Sequence, residues 1–583
     1  MRLLSAIIVL MLSVASLAVG IALRTVWAGP DTLVKTIEID HTAPAIVIPA
    51  STLVSNPGRQ TVTVLDNTNN EAGITVVYGR TVDVMGWLRP ARYTTVLTDS
   101  TTGELYAAPR LGSQSRVPNP LNSDLWLEQF HEQGALKASL TGDEDISVVV
   151  FMDGSYPAPG VIQLSWPLDN VSPLAGFLVA AGILALVIGL VLLVMVLTDV
   201  RRRRGPRQKL PKAPKRRSPR AAMGQRRTLS LPNRGRRRLQ RSALSIPLLG
   251  VLALGACAPA STIEQAAVVD ESAATLDVTP LAPYPAVTQA QFQRIVERIA
   301  NHVLMADQAL DGDMLSQRLS DPALSMRGAQ YILRGYDTDL GQISPIPTSP
   351  IRLLVPQQTR DWPRTVFAIV QQGAEANSPA VGIVLRQETA RTNYQLIYEV
   401  LLAPDVVLPA MPLVEVGSPR LARDSKLLPV SPEDTIAHYA AILSSGADAR
   451  FWSEFDISSD NLYTLVGPDG QALRQESFGS DLEMDLSIEP TDQQIVALAT
   501  RDGGALVFGV LQETETVRPV ESGAAVNATP AVRAITGEPQ SSIGFEARYD
   551  MHIVWYVPPV GSDEKIQVVG YSYGLVDAAE LEE

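Results

Sequence analysis

Five histidines, His41, His131, His302, His438 and His552, are the first side chains to weigh, because imidazole ligates metals and moves protons near neutral pH. No two stand at a metal-ligand spacing. His302 and His438 fall in helical stretches and His552 in a strand, so each reads as a structural or surface residue. Asp307, Asp311 and Asp313 lie close together in "ADQALDGDML". Their spacing departs from a calcium loop and lacks its closing glutamate, so a solvated helix end accounts for them. The pairs Asp143 with Asp145 and Glu483 with Asp485 sit in polar, loop-like stretches and need no catalytic reading. There is no phosphate-binding glycine loop and no G-x-S-x-G elbow. Cys257 is the single cysteine, which excludes an intrachain disulfide and a cysteine-cluster metal site. No catalytic, cofactor-binding or metal-ligating residue is therefore assigned, and no cofactor is expected.

What must position any chemistry is dominated by charge and apolar runs. The 583 residues carry a net charge of -13. Of the 48 basic residues, 18 lie between Arg201 and Arg241 with no acid among them, leaving 30 for the rest of the chain against all 61 acids. Such a split places the two parts in different environments. Only seven of the 48 are lysines, which with the many Ala, Val and Gly residues is the composition of a high-GC bacterial genome.

Three apolar stretches explain the split. Leu3 to Leu23 is uncharged, and its roughly 20 residues suffice to cross a hydrocarbon core. It reads as an N-terminal anchor or signal (1–24), with Trp27 at the interface. Leu174 to Leu197 is a continuous apolar run and the clearest transmembrane helix (173–198). It ends at Arg201, Arg202, Arg203 and Arg204, which the positive-inside rule holds in the cytoplasm. Residues 25–172 then lie outside. The basic segment 199–241, which includes Arg236, Arg237 and Arg238, reads as a disordered cytoplasmic linker against anionic headgroups. It has no interleaved aromatics, so nucleic acid is not its expected partner. The third stretch, 242–257, is short for a span, at about 15 residues. "NRGRRRLQR" precedes it as a charged n-region, and Leu254-Gly255-Ala256-Cys257 closes it. That tetrad resembles the bacterial lipobox, and the resemblance implies lipidation of Cys257 with cleavage before it. The other reading is a short third transmembrane helix. Both place 258–583 outside.

The chain as a whole resembles a membrane-anchored envelope protein of actinobacterial type with an internal lipoprotein-like signal. Residues 25–172 are β-rich: "QTVTVLDNTNNEAGITVVYGR" and "RYTTVLTDSTTGELYAA" read as hairpins of an all-β, sandwich-like domain. Residues 258–285 form a flexible tether. Beyond it, helix-then-strand order occurs twice, in 286–428 and 429–575. Thr288 begins an amphipathic helix with Phe292, Ile295, Ile299 and Val303 on one face, and Ser431-Pro432-Glu433-Asp434 begins another. A long loop is expected over 517–540. This element order resembles tandem NTF2-like or cystatin-like α+β modules. The expectation is a multidomain, membrane-anchored protein of the cytoplasmic membrane, folded outside the cell, that binds cell-wall polymer or an envelope protein without enzymatic activity. A cofactor-free hydrolase or transferase of envelope polymers is the alternative, and a pocket with two acids about 5–10 Å apart would favour it.

Overall fold

The computed structural model describes residues 2–27, 29–40, 42–66, 71–141, 145–168, 173–203, 283–373, 378–404, 406–521 and 523–582. The chain is mixed α and β, with several sheets and two long apolar helices. It divides into two compact units.

The described part of the first unit is a helix pair, α1 (Arg2–Ala22) and α4 (Pro173–Arg203). Leu3–Ala22 and Leu174–Arg201 are each long and apolar enough to cross a membrane. The two helices touch through glycines. A Cβ on Gly182 would come within 2.8 Å of Leu17, and one on Gly189 within 2.8 Å of Leu10. Small residues at such a seam let two backbones approach in an apolar medium, where packing has to replace the hydrophobic effect. Ser16 adds a hydrogen bond, donating to the Leu178 carbonyl at 2.8 Å.

The second unit holds residues 27–171 and 282–583. Its N-terminal part has two sheets. One runs β1 (Thr32–Glu38), β10 (Val161–Pro167), β3 (Arg59–Leu65), β8 (Ala135–Thr141). The other runs β6 (Leu105–Arg110), β5 (Tyr93–Thr98), β2 (Ala45–Ile48), β9 (Ile146–Phe151), β4 (Ile74–Arg80), β7 (Glu128–Glu132). Val62, Val64, Ile162 and Leu164 from the first sheet meet Ile46, Ile74, Val148 and Val150 from the second in one core. The expected hairpin over Gln60 to Arg80 is not one. Its first strand, β3, pairs with β10 and β8, and its second, β4, pairs with β9 and β7. The hairpin over Tyr93 to Arg110 does form, as β5 and β6. Two helices interrupt the strands, α2 (Ala50–Leu53) and α3 (Thr81–Leu88).

The C-terminal part is built on one nine-stranded antiparallel sheet. Its order is β11 (Ile351–Pro356), β12 (Arg364–Gln371), β13 (Ala380–Gln387), β14 (Gln395–Leu402), β21 (Gln567–Glu580), β20 (Phe545–Val557), β17 (Ala505–Pro519), β15 (Leu482–Pro490), with β16 (Val496–Ala499) also on β17. The two helix-and-strand halves are stitched where β14 pairs β21, Leu402 opposite Gly570. A side chain at Gly570 would come within 2.6 Å of the Leu401 carbonyl, so this joint requires glycine. In the first half α5 (Gln289–Ala309) lays Phe292, Ile295, Ile299 and Val303 on Val366, Ala368 and Ile383, with α6 (Gly312–Ser316) and α7 (Ala323–Tyr336) following. Thr288 and Gln291 cap α5 reciprocally. In the second half α8 (Pro432–Ser445), capped by Ser431, packs Ile436, Tyr439 and Ile442 on Val507, Ile553 and Trp555. Then come α9 (Asn461–Val466) and α10 (Pro468–Phe478). The halves also share a core on the opposite face, where Phe367 meets Phe508 at 5.0 Å between ring centroids.

Two loop expectations are corrected. Glu483 and Asp485 stand on the exposed side of β15, whose partner strand supplies the hydrogen bonds that a polar local sequence does not advertise. Over 517–540, β17 continues to Pro519, and β18 (Val526–Asn527), α11 (Pro530–Thr536) and β19 (Gln540–Ser541) follow. Thr529 caps α11 and Pro530 starts it, a signal present in the sequence.

Candidate functional site

The site begins with two ionisable residues set beside apolar runs in neighbouring parts of one sheet. β14 reads "QLIYEVLL", and Glu399 is its only acid. β20 carries His552 between Met551 and Ile553. β21 lies between β14 and β20, so the sheet brings the two strands to one region, with Ser572 opposite His552. The helix α7 lies over that region and contributes Met326, Arg327 and Gln330. A cavity of about 330 Å³ opens between them, lined also by Gln342, Ser344, Gln372 and Leu401.

Arg327 is held in place before any ligand arrives. Its Nε and Nη2 donate to the two oxygens of Asp307 at 2.9 and 2.7 Å, its Nη2 also to the Ser344 carbonyl at 2.8 Å, and Nη1 lies 3.4 Å from Glu399 Oε2. The Tyr331 hydroxyl donates to Asp307 at 2.7 Å. Asp307 is thus fully engaged, inside a buried ion pair rather than at the solvated helix end expected from its sequence. The reason is reach: α5 and α7 stack, which brings Arg327 to Asp307. The Arg327 guanidinium is held above its usual range despite the opposing cost of burial, because Asp307 hydrogen-bonds it and Glu399 adds its charge. Burial pushes the Glu399 carboxyl upward. Arg327 acts against that shift and the Asp307 charge adds to it.

His552 is 1% exposed. Neither ring nitrogen has a hydrogen-bond partner, while Tyr398 meets the ring edge-on at 5.7 Å. Burial drives its pKa down from 6.5 to about 3. The ring is therefore neutral at physiological pH and carries one N–H donor and one lone pair, both buried. A buried polar group left unpaired costs about 1–3 kcal/mol, which makes such a group a mark of unfinished bonding.

Three of the other histidines have partners. His131 on β7 pairs with Thr75 Oγ1 at 3.0 Å, and His302 on α5 with the Met314 carbonyl at 2.8 Å. His438 on α8 meets Glu454 at 2.7 Å and stacks on Phe451. Asp311 caps α6, as a helix-end acid should. A second depression, of about 500 Å³, is lined by Glu489, Asp492 and Asp550, but Asp550 already accepts from Gln512 at 2.8 Å. Among the described residues no three His, Cys, Asp or Glu side chains group as a metal site. Arg201, Arg202 and Arg203 end α4. Arg204, Arg236, Arg237, Arg238, Cys257, His41 and Asp143 lie outside the described residues. The pocket residues Arg327, Glu399 and His552 were not singled out from sequence as a site. The available signal was Glu399, the one acid of the apolar strand β14; His552 shares β20 with Glu546, Arg548 and Asp550 and does not stand out there.

Residues 283–580 match the family model described as "Domain of unknown function (DUF8094)". No curated protein and no solved structure matches the chain.

Proposed function

The chain belongs to the DUF8094 family, whose description assigns no activity, and from its own residues we propose that it is a membrane-anchored envelope protein whose C-terminal pocket binds the glycan of a cell-wall polymer. The observation that carries this reading is His552, buried at the pocket wall with both ring nitrogens unpaired. A neutral imidazole offers one donor and one acceptor, and a hydroxyl answers both. Gln330, Gln342, Gln372, Ser344 and Ser572 have the same double capacity. The cation nearest the pocket is already paired, because Asp307 clamps Arg327. An uncharged, hydroxyl-rich ligand fits such a lining better than an anion does. The volume is at the lower end of the about 300–1,000 Å³ typical of small-molecule sites, enough for a short saccharide segment.

Binding is favoured over hydrolysis by the count of free acids. Glycoside cleavage uses two carboxyl groups flanking one bond, about 5 Å or about 6.5–9.5 Å apart. Among the described residues Glu399 is the only carboxyl lining the pocket, and Asp307 behind it is held by Arg327 and Tyr331.

The anchor in this reading is α1 with α4, retained as a pair through Gly182 and Gly189. Arg201, Arg202, Arg203 and Arg204 keep the end of α4 in the cytoplasm and, with Arg236, Arg237 and Arg238, meet anionic lipid headgroups. The folded parts then face outside the cell. Cys257, after Leu254-Gly255-Ala256, is the proposed lipidation site. Each helix-and-sheet half of the C-terminal part follows the NTF2-like or cystatin-like plan.

Calorimetric titration of the full chain in nanodiscs tests the ligand class. Neutral oligosaccharides are expected to bind at least tenfold more tightly than their carboxylated counterparts. Absence of binding by any saccharide, or preference for the anionic ones, overturns the reading.

A further inference from the structure

The contacts joining residues 27–168 to residues 283–582 are ionic, buried and spread along the sequence. Asp83 on α3 accepts from Arg364 on β12 at 2.6 Å, with side-chain exposures of 4% and 2%. The Arg364 guanidinium lies 3.9 Å over the Trp362 ring. That ring presses on Gly86, where a Cβ would come within 2.8 Å of it. Asp124, fully buried, accepts from Arg318 at 2.6 Å, from Arg298 at 3.2 Å and from the Tyr394 amide at 3.0 Å. Arg391 donates to the Trp87 carbonyl at 2.7 Å. Below this layer, Ala45, Val47, Val77, Val149 and Phe151 form a core with Trp87, reached from the other part by Ala390 and Trp362.

Separation exposes the apolar layer around Trp87, Ala390 and Trp362 to water, which makes it costly, and the buried pairs fix the register, because a carboxylate that stays buried without its cation is left uncompensated. Screening by salt also reaches such pairs far less than surface pairs. The two acids stand on one part and their arginines on the other, so each part completes the other. We infer that residues 27–168 and 283–582 form one body that does not depend on the covalent connection between them. The body stays assembled when the chain is cut between residues 257 and 283. A topological consequence rests on the membrane reading above. A chain that leaves this body at residue 168 and crosses in α4 must cross again before residue 283 to rejoin it, and that interval contains the apolar run Ser242–Ala256.

The test uses the full chain with Cys257→Ser, to remove any lipid anchor, and a specific protease site inserted between Ser261 and Thr262. All three apolar runs then remain on the N-terminal fragment, so a shared micelle cannot retain the other one. After complete cleavage, the N-terminal fragment is captured by a tag and washed at low and high salt. Retention of the C-terminal fragment in both washes is expected. Asp83→Lys combined with Asp124→Lys is expected to raise its release at least tenfold. Loss of the C-terminal fragment from the unsubstituted chain overturns the inference, as does equal retention after both charge reversals.

Discussion

His552 is uncharged down to about pH 3 in the folded chain, because burial withholds the solvation that its charged form needs. In the unfolded chain it takes up a proton near 6.5. Between those values the unfolded state binds more protons, so stability falls as pH drops from about 6.5 towards 3, by about 1.4 kcal/mol per pH unit. Glu399 works in the opposite sense. Its raised pKa lets the folded state keep a proton that the unfolded state has lost, so its contribution is lost as pH rises through that carboxyl's range. His552→Leu keeps Glu399 and isolates the histidine. Denaturant titrations at several pH values are expected to show wild type losing stability relative to this variant as pH falls through that window. Near pH 7 the variant is expected to be at least as stable as wild type, because an unpaired polar ring has been removed. Equal pH slopes would contradict the buried, unpaired ring. The sequence does show His552 beside an apolar run. It does not show that β14, β20 and α7 close a cavity there, since that depends on the pairing of β21 with both strands.

Helix starts were legible because their signals are local. Thr288 and Gln291, Ser431 and Pro432, and Thr529 and Pro530 each satisfy orphan amides or preset the first turn within four residues. Strand partners were not legible in the same way. The Asn-rich turn after β3 looks like a hairpin, yet β3 and β4 serve different sheets. Turn chemistry fixes where a chain reverses and leaves open which strand it then meets. Gln291 carries both kinds of information: it completes the cap of α5 and also donates to the Leu125 carbonyl at 3.0 Å. Thr288→Ala is expected to cost about 1 kcal/mol, the loss of a cap. Gln291→Ala is expected to cost about 1–3 kcal/mol more, because a buried carbonyl loses its donor. Thermal unfolding of the two variants checks the order, and equal losses would remove Gln291 from the interface.

At the scale of the whole molecule, one strand pattern did carry long-range information. β2, β4 and β9 hold the runs "AIVI", "ITVV" and "VVVF", which are apolar at successive positions but for Thr75. Such strands are buried on both faces. One face meets the first sheet, and the other lies under α3 and residues of the C-terminal part. The sequence announces that something covers that face without saying what, because Asp83 and Arg364 are 281 positions apart. The helix pair α1 and α4 was legible from apolar length alone, whereas the glycine seam between the two helices emerges only once they are packed. The central claim is that this body holds an open-handed imidazole for a hydroxylic ligand. Imidazole ¹⁵N spectra of the full chain in nanodiscs, labelled at its five histidines, test it most directly. The account predicts one histidine that stays neutral from pH 7 to about pH 4, is lost in His552→Leu, and shifts at both nitrogens when a neutral oligosaccharide is added. A His552 that titrates near 6.5, or whose nitrogens ignore every saccharide, would contradict it.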